Sequence, residues 1–412
     1  MSATDELRID SGRLIAAIDA VAAINRQADG SCCRVALTDA DCEGRRLVLR
    51  WLEEAGLDIA IDRIGNIFAT RRGSESIAPV MTGSHLDTVA TGGRFDGALG
   101  VIGGLEVIRT LDAAGIVTRR PLTLAIFTNE EGVRFQPDMM GSLVFSGQLD
   151  LQQALDARAA GGGPSLAAEL ERTGFNGSAA IGEPKPAAYV ELHIEQGPIL
   201  HRTGGILGAV QSLQGISWQE ITINGISNHA GTTPMSMRHD AAYCVSRIGV
   251  FLRELTQRKP GQLATVGRIN LLPNMINVIA REAKLTVDLR NTSNDELRAA
   301  EAELQQFLRE LEKSERVTIA SRPLARTDPV QFDETIVLAI EDTARRLGYP
   351  IARMTSGAGH DAQMIAKVAP AAMIFVPSVD GISHNPREHT DPAHLEIGAN
   401  MLLHTLVKLA NA

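Results

Sequence analysis

A histidine and two carboxylates stand among glycines in Gly83-Ser-His85-Leu-Asp87-Thr88-Val-Ala-Thr-Gly92-Gly93-Arg94-Phe95-Asp96-Gly97, directly after the apolar run Pro79-Val80-Met81-Thr82. If that run ends a buried strand, His-x-Asp sends His85 and Asp87 to the same side of its extended continuation. One can then ligate a metal and the other orient it, because a metal-bound imidazole hands its second N–H to a carboxylate; His85 takes the first role and Asp87 the second. A Gly-rich turn brings Asp96 back toward the same point. The bland alternative is a turn whose Asp side chains cap backbone N–H groups, and each further cluster weakens it.

Thr128-Asn-Glu130-Glu131-Gly132 follows an uninterrupted apolar run, Pro121-Leu-Thr-Leu-Ala-Ile-Phe-Thr. It places adjacent carboxylates at a strand end, where open α/β sheets hold their sites. One can ligate a metal while the other stays unligated and serves as general base toward a water. In Tyr189-Val-Glu191-Leu-His193-Ile-Glu195-Gln196-Gly197-Pro198 the alternate residues 191, 193 and 195 are all polar. Burying three such groups on one strand face is costly unless they bind something or one another, which favours a ligand role for His193. Met373-Ile-Phe-Val-Pro377 leads into Gly381-Ile-Ser-His384-Asn385-Pro386-Arg-Glu388-His389, with His384 in the loop beyond the strand. His85, Asp96, Glu131, His193 and His384 together exceed what one catalytic zinc with an open position uses. They suit two divalent ions bridged by a shared carboxylate. Nitrogen and oxygen donors without thiolate fit Zn2+, Mn2+ or Co2+ alike.

The elements that position these residues alternate. Helices are predicted from about Ser11 to Asn25, Asp39 to Ala55 and Ala98 to Leu111, with strands Leu57–Asp62 and Gly65–Arg71 and the runs before His85 and Glu130 between them. From Trp218 to about Ala320 the order becomes strand (218–224), helix (239–257), strand (263–271), strand (281–290), helix (294–313), strand (316–320), a split β-α-β arrangement. The chain of 412 residues is too long for one ordinary core. We therefore expect an α/β, mixed-sheet di-metal domain, residues 1–214 and 328–412, interrupted by an α+β (βαββαβ) domain, residues 215–327. A net charge of -9 gives no electrostatic reason to expect nucleic acid or an anionic membrane. Met1-Ser-Ala-Thr-Asp-Glu-Leu-Arg carries no basic-then-apolar leader, so a cytoplasmic location is expected. Cys32, Cys33, Cys42 and Cys244 lack CxxC spacing and read as packed thiols.

The ordered motifs GSHLDT, GGRFDG, TNEEGVRF, ELHIEQGP, NHAGTTPM, SGAGHDA and GISHNP resemble those of the M20 metallopeptidase-related amidohydrolases, specifically the hydantoinase/carbamoylase subfamily. The resemblance covers nearly the whole chain. It implies that His85, Asp96 and His193 hold one ion and Asp96, Glu131 and His384 the other, with Asp96 bridging, Glu130 as general base and Asp87 behind His85. Carried over residue by residue, it makes His229 an oxyanion donor aided by Asn277, and Arg290 the bidentate partner of a substrate carboxylate. Gln196 and the Ser356-Gly357-Ala-Gly-His360-Asp361 turn complete the pocket, while Arg238 and His239 are taken as solvated helix-start residues. The resemblance further implies a homodimer with shared sites, in which the inserted domain is both lid and interface, hinged near Gly215 and Pro329. The expected reaction is hydrolysis of the carbamoyl C–N bond of an N-carbamoyl-L-amino acid or N-carbamoyl-β-alanine, a small substrate with a free carboxylate. Allantoate or an N-acyl amino acid is the alternative substrate, and a binding protein without chemistry is the alternative class; Trp218 at the entrance of the insert leans toward carbamoyl amino acids.

Overall fold

The computed structural model describes residues 6–412, so Met1–Asp5, part of the polar start in which a leader was sought, lies outside the described residues. The strands, in chain order, are β1 (Asp58–Ile61), β2 (Ile67–Arg71), β3 (Val80–His85), β4 (Leu122–Phe127), β5 (Ala188–Ile194), β6 (Gly208–Leu213), β7 (Gly215–Asn224), β8 (Leu263–Leu272), β9 (Glu282–Asn291), β10 (Thr318–Thr327), β11 (Val330–Gln331), β12 (Ala352–Ser356) and β13 (Ala371–Val376). The chain divides into two compact units: the described residues up to Gln211 together with Phe332–Ala412, and Ser212–Gln331.

In the first unit the sheet order is β1-β2-β4-β3-β5-β13-β6, with β12 beside β6. The central pairs β4/β3, β3/β5 and β5/β13 are parallel, whereas β1/β2, β2/β4 and β13/β6 are antiparallel. The sheet is therefore mixed. Every residue of β3, β4, β5 and β13 is buried; β4 and β13 accordingly read as nearly unbroken apolar runs, whereas β3 and β5 turn polar toward their C-terminal ends. The helices Ala98–Ala113 and Pro392–Ala410 both pack on β3 and β5. Because the four central strands run the same way, their C-terminal ends lie along one edge, and His85, Glu130, His193 and His384 all sit at or beyond those ends.

The second unit has the element order strand, helix, strand, strand, helix, strand, with an antiparallel sheet in the order β10-β7-β9-β8. Helices Ala241–Arg258 and Asn294–Glu315 contribute Cys244, Ile248, Leu252, Leu297, Leu304 and Leu308 to a core completed by Ile221, Ile223, Leu285 and Val287. Its last strand is longer than expected, Thr318–Thr327 rather than 316–320, and it carries a register shift between Pro323 and Ala325. Two arginines, Arg322 and Arg326, and Pro323 conceal it in the sequence; a sheet edge tolerates both, since Pro removes a donor the edge does not need. Among the described residues no helix is long and apolar enough to cross a membrane, and the four cysteines are free thiols.

Candidate metal centre

Asp96 is where the strand-end residues meet. Its Oδ1 lies 3.6 Å from His85 Nε2 and 3.3 Å from His193 Nε2, and its Oδ2 lies 3.2 Å from His384 Nε2, which is 3.4 Å from Glu131 Oε2. The two oxygens of one carboxylate thus face two donor groups, His85/Asp96/His193 and Asp96/Glu131/His384, each with ligand atoms within 4.8 Å of one another. The turn that delivers Asp96 depends on Gly97: its φ is +64°, and a Cβ there would stand 2.5 Å from the His85 ring.

Main-chain carbonyls set the tautomers of the two buried imidazoles. His85 Nδ1 lies 2.9 Å from the Asp87 carbonyl and His193 Nδ1 2.9 Å from the Ile194 carbonyl, so each ring donates there and turns Nε2 to Asp96, donating to it when the ring is protonated and offering a lone pair to a cation when it is neutral. This corrects one expectation. The Asp87 carboxylate is 4.0 Å from His85 Nδ1 and instead accepts the backbone N–H groups of Glu130 (3.3 Å) and Glu131 (3.2 Å). Asp87 therefore orients His85 with its carbonyl and the acidic turn with its carboxylate. Glu130 Oε2 reaches to 3.5 Å from His85 Nε2.

The site carries more negative charge than its protein surroundings neutralise. Burial, joined by the charges of Asp361 and Glu131, pushes Glu130 well above the usual carboxyl range. Burial and the Asp96 charge bring Glu131 to about 7. For Asp96 burial works the other way from the outcome, because the hydrogen bonds from His193, His384 and His85 outweigh it and hold the group well below its ordinary value. The hydrogen bond to Asp96 is also the main reason that His384 rises to about 9. A cluster that must hold protons to be tolerated when empty of cations suits divalent ions, and imidazole with carboxylate is the donor set for them.

Gln196, at φ +54°, donates its amide to Asp96 Oδ2 at 2.8 Å. His360 lies with its ring 4.5 Å from that of His193 and its Nε2 3.0 Å from Ser356 Oγ; burial and the neighbouring His193 keep it neutral. Gln196, His360, Glu130, Glu131, Asp96 and His384 line one cavity of about 160 Å³. Gly357 follows the last residue of β12, where a Cβ would meet nothing within 4 Å.

The remaining expected residues belong to the second unit. His229 and Asn277 are exposed and lie on adjoining backbone, with Ala230 N donating to the Asn277 carbonyl at 3.0 Å. His229 Nδ1 accepts the N–H groups of Gly231 (3.0 Å) and Thr232 (3.2 Å), which leaves the neutral ring's proton on Nε2 as a donor. Arg290, on β9, is held by Asp288, with Nη2 2.9 Å and Nε 3.1 Å from Oδ2. Arg238 and His239 are not simply solvated: Arg238 donates to the carbonyls of Thr233 and Ala230, and His239 Nδ1 meets the Arg316 carbonyl at 2.6 Å.

Two residues that the sequence reading passed over hold the centre together. Glu388 Oε1 accepts the N–H groups of Phe95 (2.8 Å) and Asp96 (3.3 Å). Ser383 Oγ lies 3.1 Å from Glu388 Oε2 and 3.2 Å from Asp96 Oδ2. Gly93 is pressed so closely on Glu388 that a Cβ would come within 2.2 Å of its carboxyl. The polar neighbours of His193 are otherwise engaged. Glu191 accepts from Ser84, Tyr189 and Ala362, and Glu195 accepts the N–H groups of Ile199 and Leu200 at the start of the helix Ile199–Thr203.

Comparison with known proteins agrees with this architecture. Residues 81–408 match the family described as peptidase family M20/M25/M40. The chain is 40% identical over 405 residues, 98% of its own length and 97% of the other, to an N-carbamoyl-L-amino-acid amidohydrolase of Rhizobium meliloti. It is 34% identical to the allantoate amidohydrolase of Bacillus subtilis, covering 95% and 96% of the two chains. Among solved structures, an amidase of the hydantoinase/carbamoylase family from Burkholderia multivorans superposes with a TM-score of 0.96 at 42% identity, covering 98% and 99%. With the family match spanning residues 81–408 and relatives alike over their full length, the chain belongs to peptidase family M20/M25/M40.

Proposed function

We propose that the protein is a metal-dependent amidohydrolase that cleaves the carbamoyl C–N bond of N-carbamoyl-L-amino acids, yielding the amino acid, ammonia and carbon dioxide. The observation that carries this reading is the division of the Asp96 carboxylate between two donor groups. Its full-length relatives named as N-carbamoyl-L-amino acid amidohydrolases support the substrate class. The two groups would hold two divalent ions, Zn2+, Mn2+ or Co2+, which supply Lewis acidity and lower the pKa of water. Glu130, unligated and beside His85, takes the proton from the attacking water and returns it to the leaving amine. His229 donates from Nε2 to the developing oxyanion, aided by Asn277. Arg290 receives the substrate carboxylate through its planar fork, and Gln196, Gly357 and His360 contribute polar contacts around the reacting group.

The same reading makes the enzyme a cytoplasmic homodimer whose inserted unit serves as lid and interface. Exposed Leu263, Ile269 and Leu272 on the edge strand β8, with Tyr243 and Val250 on the adjoining helix, support a covered apolar surface there. The reading is tested on protein stripped of metal and reloaded with Mn2+ or Zn2+. Ammonia and amine release would be followed from N-carbamoyl-L-amino acids, N-carbamoyl-β-alanine, allantoate and N-acetyl-L-amino acids. Metal-dependent ammonia with free amino acid from a carbamoyl compound is the expected result. Release from allantoate alone, or free amine without ammonia from an acyl compound, overturns the substrate assignment.

A further inference from the structure

A second cavity, of about 360 Å³, is lined by Glu388 and by three arginines, Arg26, Arg94 and Arg387, with His389. Such a gathering is not forced by composition, since acidic residues outnumber basic ones in this chain. Arg26 and Arg387 make no ion pair with any described residue. Arg94 shares Asp19 at 2.7 Å, an aspartate whose own side chain is half exposed. Glu388 is the carboxylate in the lining, and its oxygens are committed to Phe95, Asp96 and Ser383. The Arg94 guanidinium lies over the Phe95 ring, 4.5 Å from its centroid, and Arg26 and Arg387 are exposed; three arginines around one small space make it favourable to an anion, and the planar fork of Arg is the side chain best matched to an oxyanion.

The position of this cavity gives its occupancy a consequence. Arg94 stands two residues before Asp96, and Arg387 three residues after His384. Both Asp96 and His384 belong to the Asp96/Glu131/His384 donor group. We propose that this cavity binds a small multivalent oxyanion, of the sulfate, phosphate or dicarboxylate class, at a place separate from the reaction site. An anion bridging Arg94 and Arg387 ties the Asp96 and His384 loops to each other and so holds that donor group closed.

The probe is sulfate, titrated into the metal-loaded full-length protein by calorimetry, with ionic strength held constant by chloride so that general screening does not contribute. Saturable binding is expected in the wild type. In Arg26→Gln/Arg387→Gln its affinity falls at least tenfold, while turnover measured without sulfate is unchanged. In Arg290→Gln sulfate affinity is retained. The single variant Arg387→Gln, at an exposed position, gives the same direction should the double variant fold poorly. Sulfate is also expected to slow transfer of metal to a chelator severalfold in the wild type but not in the double variant. Absence of saturable binding, equal affinity in wild type and double variant, or loss of binding in Arg290→Gln instead overturns the site; equal metal-release rates with and without sulfate overturn its link to the donor group. None of these outcomes depends on which amide the enzyme hydrolyses.

Discussion

The Asp87 carboxylate accepts the backbone N–H of Glu131 at 3.2 Å while the Asp87 carbonyl meets His85 Nδ1 at 2.9 Å, so one residue fixes His85 and Glu131 on two neighbouring strand ends. Asp87→Ala strands the buried N–H of Glu130, at a cost of about 1–3 kcal/mol, and the partly buried N–H of Glu131 at a smaller one. Supporting residues of this kind are typically worth about 10- to 100-fold in metal affinity or activity. We expect losses of that size in both, read from chelator competition and from kcat; wild-type metal affinity in this variant would refute the positioning role.

Glu130 is the acid of the turn that is absent from both donor groups. Glu130→Gln keeps the shape and removes the base, so metal content by elemental analysis should stay at the wild-type level. Turnover should fall by about 10²–10⁴-fold or more, the usual worth of a positioned base. Loss of metal together with activity would instead make Glu130 a ligand.

The grouping of these residues could be read from sequence because several of them follow buried strands directly. His85, the Glu130–Glu131 pair and His384 each come after an apolar run, and a parallel arrangement of such runs brings their ends to one edge. The alternation at Glu191, His193 and Glu195 gave less, because a buried hydrogen-bonding hub, a ligand and a helix cap have the same period-two pattern. Supporting charges were hidden altogether. Arg45 is fully buried, pairing with Asp41 at 3.0 Å and donating to the Gly65 carbonyl and Thr128 Oγ1. In its helix, with Glu43, Arg46 and Arg50 nearby, it looks like part of a solvated face. Only tertiary packing distinguishes it, as it does Glu388, whose partners lie 292 and 293 residues away.

Glu388 gives a prediction that separates scaffold from chemistry. Glu388→Gln retains an acceptor for Phe95 and Asp96 and should stay close to wild type in thermal midpoint. Glu388→Ala leaves both N–H groups without a partner and should lower stability by about 2–4 kcal/mol, with metal lost at a lower chelator concentration. Equal midpoints for the two variants would show that the backbone contacts to Asp96 contribute nothing.

Arg290 already has its guanidinium engaged by Asp288 in a two-point contact. A carboxylate binding there, as proposed for the substrate, would have to share or displace that partner, which calls for a planar fork rather than a point charge. Arg290→Lys should raise KM by about 10-fold or more, with the thermal midpoint near wild type because the pair is partly exposed. A KM within twofold of wild type would remove Arg290 from substrate binding.

Metal loading should depend steeply on pH, with a sign fixed by the protons that the empty centre holds. His384 titrates at about 9, chiefly because of its hydrogen bond to Asp96, and Glu131 at about 7, chiefly because of burial. An ion must displace both protons to bind. In the Asp96/Glu131/His384 group an ion competes with the His384 proton between pH 7 and 9, so affinity there rises about tenfold per pH unit, and below 7 the Glu131 proton adds to this; His85 and His193, raised against burial by Glu130 and Asp96, steepen the dependence for the other group. The metal-free protein should show the opposite trend. A histidine whose folded pKa lies above its unfolded value contributes stability that is complete below about 6.5 and is lost as pH rises through about 9. Buffered Mn2+ titrations across pH 6–9.5, paired with thermal midpoints of the stripped protein, read both halves. An affinity independent of pH between 7 and 9 would mean that His384 carries no proton to displace, and that its pairing with Asp96 is not what holds the empty centre together.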